Sequence, residues 1–414
     1  MKKEFTNIRS LLGALARALN LINREMQHHH EQTAYLAHRI GYAMGLRGDN
    51  LNVVGYTALL HDIGFEVLQE SSAVKETAEG RKRVAKIGAD MIREVEEFRS
   101  LADIIEIVQN SYEENRELFK DDVRLDISQA VHLSDYVTTI FREDLPLLDQ
   151  VKGILSSVEA LRGSEFSSKA VDALLEIGRV EALWLDVALN PEFLAYYVGK
   201  IRKVRLEEVV SFTRLISRVI DFRSPFTAMH SAGVAATARE LARLAGMSPE
   251  EVKMMEIAGN LHDIGKLRVP NEILEKPGKL DEAEFNIMRE HTYYTRTILA
   301  SVDGFDKIAD WAAFHHEKLN GMGYPFHLSG EQLDVGARIM AVADIFSAIT
   351  EVRPYRAGMN REKAMGVLKE SVNRGEICGW VVKLLEEHFD EVDRVREQES
   401  REVGKRYYQS IELM

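Results

Sequence analysis

The spacing of apolar residues is helical along most of the chain. Ile8, Leu11, Leu12, Leu15, Leu19, Ile22 and Met26 fall on one stripe with a repeat near 3.6 residues. Val234, Ala238, Leu241 and Leu244 do the same, and Gly246 followed by Ser248-Pro249-Glu250 reads as one helix stopping and the next starting. Alternating β-branched runs are few, and only 8 prolines interrupt the pattern. These features predict an all-α fold.

A longer period overlies the helical one. Leu59-Leu60-His61-Asp62-Ile63-Gly64 returns as Asn260-Leu261-His262-Asp263-Ile264-Gly265, about 200 residues later. Upstream, His30 precedes His61 by nearly the interval that separates His230 from His262. Downstream, Val131-His132-Leu133-Ser134-Asp135-Tyr136 mirrors Met340-Ala341-Val342-Ala343-Asp344-Ile345. Landmarks in the same order predict two copies of one helical domain, over 1–162 and 213–414. The stretch 163–212 has no partner in either copy. It carries Trp184, Phe193, Tyr196 and Tyr197 and lacks the Gly/Ser/Pro richness of a flexible linker, so a packed helical connector is expected.

Charge and composition narrow the function. With 53 Lys and Arg against 66 Asp and Glu, the net charge of −13 argues against polymeric nucleic acid as a partner, since phosphate-backbone affinity needs dense basic surface. A small anionic substrate remains open, given local positive charge from metals or a few basic residues. The lone cysteine, Cys378, excludes an internal disulfide and suits a reducing compartment. Neither a secretory leader nor an apolar run long enough for a membrane helix is apparent, so a cytoplasmic protein away from membranes is expected. A helical two-copy chain also suits a homodimer.

The second copy concentrates metal-binding side chains. His230, His262, Asp263, His291, His315, His316 and Asp344 follow one another along helical sequence, and these five histidines come from only 13 in the chain. A single His-Asp pair means little, and any one histidine can be an ordinary core residue. The mixed set is too large for one structural zinc and suits two ions of the Fe or Mn type. Paired metals are a known solution for cleaving phosphate esters.

His262-Asp263-Ile264-Gly265-Lys266 and His315-His316-Glu317-Lys318-Leu319-Asn320-Gly321-Met322-Gly323-Tyr324-Pro325 resemble the two signatures of the HD-GYP family, bacterial phosphodiesterases of cyclic dinucleotides within the HD superfamily. The resemblance runs through Arg338 to Asp344 and Arg353-Pro354-Tyr355-Arg356. It implies that His230, His262, Asp263 and Asp344 hold one ion and His291, His315 and His316 the other, with Asp263 bridging and Lys266 near the scissile phosphate. Gly323 and Tyr324 then shape a substrate loop, Tyr324 offering a face for stacking, and Arg353 and Arg356 clamp a phosphate. The bland alternatives are a solvated lysine, a surface turn and two surface arginines. Phe226 stands where some members carry a glutamate for a third metal, which favours a dinuclear site. Ser347 replaces an aspartate that most members have three residues after the last metal aspartate.

The first copy resembles only the wider HD superfamily. His30, His61, Asp62 and Asp135 would make a minimal one-metal set, with His28 and His29 read as exposed neighbours. Phe65 stands where Lys266 does, and neither a counterpart of His291 nor a His-His pair appears. A degenerate or regulatory domain and a one-metal site both remain open. The expected activity is hydrolysis of cyclic di-GMP or 3′,3′-cyclic GMP-AMP to a linear dinucleotide, with onward cleavage to mononucleotides left open. The rivals are an HD-type nucleotide phosphohydrolase and a receptor that binds without cleaving.

Overall fold

The structure, a computed structural model, describes residues 4–21, 28–65, 77–142, 144–189, 202–222, 229–276, 278–351 and 358–412. The chain forms two compact units, Asn7–Lys203 and Val204–Met414, the latter together with Met1–Thr6. The all-α expectation holds. Apart from a two-stranded sheet of β1 (Glu4–Asn7) and β2 (Lys203–Arg205), the regular elements among the described residues are helices.

The first unit contains α1 (Ile8–Asn20), α2 (His29–Ala43), α3 (Gly48–Leu60), α4 (Ala78–Arg93), α5 (Arg99–Ile107), α6 (Tyr112–Asn115), α7 (Val123–Ile140), α8 (Leu147–Ala160), α9 (Ser168–Ile177) and α10 (Glu181–Leu189). The stripe read from Ile8 to Leu19 is buried along α1, where Asn7 caps the helix by accepting the Ser10 amide at 2.8 Å. Ile22 and Met26 lie outside the described residues. Helix α2 packs on α3 and α7, and α4 on α5. Part of the stretch expected as a connector belongs to this packing. Helix α9 lies on α2, α10 lies on α8, and Trp184 is buried with its indole N–H on the Gly178 carbonyl at 2.9 Å. Phe193, Tyr196 and Tyr197 lie outside the described residues.

The second unit contains α11 (Leu206–Phe222), α12 (His230–Leu244), α13 (Pro249–Leu261), α14 (Asn271–Leu274), α15 (Glu282–Leu299), α16 (Asp306–Ala313), α17 (Val335–Thr350), α18 (Arg361–Asn373), α19 (Gly379–Glu387) and α20 (Phe389–Glu412). The stop and start read at Gly246 and Ser248 are present. Gly246 takes a positive φ of 76°, and Ser248 and Glu251 form a reciprocal capping box with Pro249 in the first turn. Helix α12 packs on α13, α17 and α20, and α15 packs on α16 and on the 3₁₀ turn Ile264–Arg268. The two units thus build the same arrangement from matching helices: α2 with α12, α3 with α13, α4 with α15, α5 with α16 and α7 with α17.

One glycine in each unit sets how closely two of those helices approach. A methyl group on Gly265 would lie 1.9 Å from the His291 carbonyl oxygen, and one on Gly64 would lie 2.2 Å from the Val84 carbonyl oxygen. Only glycine lets the turn after each His-Asp pair lie against the facing helix. Replacing Gly265 with alanine is therefore expected to destabilise the protein by about 1–3 kcal/mol, because the methyl meets backbone that cannot retract. Gly153, exposed in α8 with nothing near its added methyl, is the contrasting site. Alanine there should stabilise by about 0.5–1 kcal/mol. Chemical denaturation of both variants measures the pair.

Candidate metal centre

The second unit assembles its histidines by a repeated local device. His262 sits at the end of α13 with Nδ1 2.8 Å from the Gly259 carbonyl oxygen. His291, within α15, has Nδ1 2.7 Å from the Met288 carbonyl oxygen, and His315, just past α16, has Nδ1 2.6 Å from that of Ala312. In each ring Nδ1–H donates to a carbonyl three residues back. That fixes the tautomer and leaves Nε2 with an outward lone pair.

Those lone pairs converge. His291 Nε2 and His315 Nε2 lie 3.4 Å apart, and they lie 3.5 and 3.9 Å from Asp263 Oδ1. His262 Nε2 is 3.2 Å from Asp263 Oδ2. His262 Nε2 and Asp263 Oδ1 are buried with no hydrogen-bond partner. Buried acceptors facing one another are costly unless a cation lies among them, so the donor set fits divalent metal. Asp263 turns one oxygen toward His262 and the other toward His291 and His315.

Helix α17 contributes Asp344. Its Oδ1 is 3.2 Å from His230 Nε2, and its Oδ2 is 3.8 Å from His316 Nδ1. The structure therefore gathers all seven residues that the sequence singled out, in overlapping groups: His230, His262 and Asp344; His262, Asp263 and His315; and His291, His315 and His316. Lys266, in the 3₁₀ turn after Asp263, donates Nζ to Asp263 Oδ2 at 2.5 Å. Thr295 holds the same turn, donating Oγ1 to the His262 carbonyl at 2.9 Å and accepting the Gly265 amide at 3.1 Å.

Two anchoring carboxylates escaped the sequence reading. Glu351, buried where α17 ends, brings Oε2 to 3.5 Å from His230 Nδ1, which places a second carboxylate beside that ring in addition to Asp344. Its spacing of two helical turns from Asp344 was the available signal. Glu317, quoted only as part of a motif, is buried and accepts the Phe326 amide at 2.7 Å and the Leu328 amide at 2.9 Å. It ties both limbs of the Gly-Tyr-Pro loop together. Gly323 packs under that loop, since a methyl there would lie 2.4 Å from the Lys318 amide nitrogen. Tyr324 is half-buried with its ring 4.9 Å from that of His316. Ser347 faces Thr237, with hydroxyl oxygens 3.4 Å apart. Phe226, Arg353 and Arg356 lie outside the described residues.

The first unit holds a smaller cluster in the corresponding place. Its sequence reading needs a correction: His29 is buried rather than exposed, because α2 begins at His29 after a left-handed His28 and turns that ring inward. His29 Nε2 lies 3.1 Å from Asp135 Oδ1, the counterpart of His230 on Asp344, and it groups with His61 and Asp62. His30 is buried beside them, its ring 5.7 Å from that of His61. The missed signal was register, since positions 29, 61 and 62 stand to 230, 262 and 263 at one constant offset. Val84, whose carbonyl faces Gly64, takes the place of His291. Leu101-Ala102-Asp103 matches Ile308-Ala309-Asp310, which sets Val108 against His315 and Gln109 against His316. Gln109 donates Nε2 to Asp135 Oδ2 at 2.7 Å, so an amide satisfies the oxygen that faces His316 in the other unit.

The electrostatics follow from burial and pairing. Burial pulls His291 down to about 3, and it holds His315 well below the usual histidine range. Burial opposes protonation of His230 as well, but Asp344 and Glu351 outweigh it and raise that ring to about 10. Against burial, the His262 and Lys266 side chains keep Asp263 well below the usual carboxylate range. In metal-stripped protein, unfolded His291 binds a proton below pH ~6.5, whereas the folded ring does so only near 3. The unfolded chain then binds more protons, so stability should fall as pH drops from about 6.5 toward 3. His230 contributes in the other sense: its stabilisation is full below about 6.5 and is lost as pH rises through about 10. Thermal melts of chelator-treated protein across pH check this. A flat melting temperature between pH 7 and 4 would contradict the buried neutral histidines.

Comparison with known proteins agrees with this geometry. A family model described as an HD domain matches residues 214–377, and a second, also described as an HD domain, matches 26–140. The 3′3′-cGAMP-specific phosphodiesterase 1 of Vibrio cholerae is 27% identical over 394 residues, spanning 92% of this chain and 91% of that protein. The 3′3′-cGAMP-specific phosphodiesterase 3 of the same organism is 43% identical over 156 residues, 38% of this chain and 34% of that one. A crystal structure of a cyclic GMP-AMP specific phosphodiesterase of V. cholerae shares the fold with a TM-score of 0.65 at 23% identity, covering 93% of this chain and 98% of that one. The chain belongs to the HD-domain family, as a tandem protein whose second domain is of the HD-GYP phosphodiesterase type.

Proposed function

We propose that the second domain hydrolyses a 3′,5′ phosphodiester bond of a cyclic dinucleotide, opening the ring to a linear dinucleotide. The observation that carries this reading is the buried convergence of His262, His291 and His315 Nε2 on Asp263, with Lys266 and the Tyr324 loop at its edge. A relative named for 3′3′-cGAMP matches over 92% of the chain, so 3′,3′-cyclic GMP-AMP is the first substrate to test and cyclic di-GMP the second.

The proposal includes two divalent ions, Fe or Mn, one toward His230, His262 and Asp344 and the other toward His291, His315 and His316, with Asp263 shared. Bound there, the ions would supply positive charge to the phosphoryl oxygens and make water more acidic. The protein's own groups do the rest. Hydrogen bonds to helix carbonyls keep the imidazoles in place, Lys266 presents an ammonium to the leaving 3′ oxygen, and Tyr324 offers a stacking face beside the centre. For the first domain we propose a degenerate site, supported by Gln109 on Asp135 and by Val84 and Val108 in place of histidines.

The test is turnover of both dinucleotides by metal-loaded protein with product analysis. Changing His262 and Asp263 together to alanine should abolish turnover. Lys266→Ala should lower kcat by roughly 10²-fold or more, as removal of a positioned proton donor does. Binding of intact cyclic dinucleotide without cleavage would identify a receptor instead. Metal content per chain should drop in the His262/Asp263 variant and hold in His61→Ala/Asp62→Ala. A drop in the latter would show a working first-domain metal site.

A further inference from the structure

Beside the metal centre, α15 carries a pair of side chains that no metal ligand uses. Phe285 is 41% exposed, although its ring stands edge-on to Tyr324 at 5.8 Å and 83°. Tyr324 in turn lies 4.9 Å from His316. An aromatic path therefore leads outward from the ligand His316, through Tyr324, to an open face on Phe285. One turn further along α15, Arg289 places its guanidinium 5.3 Å over the Phe285 ring. Its hydrogen-bond partner is the Asn286 carboxamide, and no carboxylate pairs with it among the described residues. An arginine without a carboxylate is notable in a protein of net charge −13. Elsewhere on the same helix Arg296 is paired with Asp310 at 2.9 Å.

A cyclic dinucleotide carries two phosphates and two bases, and cutting one phosphodiester leaves the other phosphate and its base to be held by the protein. Among the described residues at the centre's edge, Lys266 is already engaged with Asp263, which leaves Arg289 as a further cation for a phosphate. We propose that Phe285 and Arg289 form, with Tyr324, a subsite for the half of the substrate that is not being cut. One nucleobase rests against Phe285, and the distant phosphate meets the Arg289 guanidinium. This rests on the proposed function and names which residues of α15 make the site suit a dinucleotide rather than a simple phosphate ester. A lone exposed phenylalanine would usually be an unremarkable surface residue. Contact with Tyr324, and over the same ring an arginine with no carboxylate partner among the described residues, set this one apart.

The test uses full-length, metal-loaded protein and steady-state kinetics on 3′,3′-cyclic GMP-AMP and cyclic di-GMP. Phe285→Ala should raise KM by roughly 5–150-fold, the usual cost of a lost base stack, with a much smaller effect on kcat. Arg289→Ala should raise KM roughly tenfold or more, as loss of a charged hydrogen bond does. It should also flatten the rise of KM with ionic strength, which Arg289→Lys should restore. A merely structural role would lower kcat and KM performance together and leave the salt dependence alone. Wild-type turnover with unchanged KM in both alanine variants overturns the subsite by itself. Absence of turnover on every cyclic dinucleotide by the wild type overturns both this subsite and the function it rests on.

Discussion

The hydrogen bond from each histidine Nδ1 to the carbonyl three residues earlier is the constraint on which the centre depends. A free imidazole exchanges its proton between two nitrogens and rotates about two bonds. Here the helix backbone removes both freedoms for His262, His291 and His315, because the carbonyls at Gly259, Met288 and Ala312 accept from one nitrogen. The opposite nitrogen must then point away from its helix and into the space that α13, α15 and α16 enclose. Burial does the remaining work. Burial keeps the His291 and His315 rings neutral, while His262 and Lys266 hold the Asp263 carboxylate charged against that same burial, which is the protonation state that a divalent ion requires.

Much of this was legible in the sequence, for a physical reason. Helix periodicity and the His-Asp repeat are local patterns, so the helices around Gly246 and Ser248 and the seven gathered His and Asp side chains could be read without coordinates. The misses are tertiary. His29 was passed over for His30 because one residue of slip is invisible until a helix start fixes which side chain turns inward. Glu351 matters only because α17 ends where His230 begins α12. Glu317 matters only because the loop returns to it, bringing the Phe326 and Leu328 amides together. Phe285 and Arg289 lie on a face of α15 that no motif marks, and their meaning comes from Tyr324 arriving from elsewhere in the chain.

The two domains also separate what builds the fold from what performs chemistry. The first keeps the helix order, the His-Asp turn and a carboxylate at Asp135, yet valines and a glutamine stand where ligands would be. Val84 and Val108 offer no lone pair and Gln109 satisfies the acid it faces, while His29 Nε2 stays buried without a hydrogen-bond partner beside His61 and Asp62.

Gly64 and Gly265 stand in both domains, whereas His291, His315 and His316 are matched in the first by Val84, Val108 and Gln109. A ligand can be exchanged for a valine because the surrounding space tolerates either side chain, but a backbone-to-backbone contact tolerates no side chain at all. When a duplicated domain drifts away from catalysis, its glycine at such a contact is the more durable record of ancestry. Searches for silent relatives of this architecture would do better to follow that residue than the metal ligands.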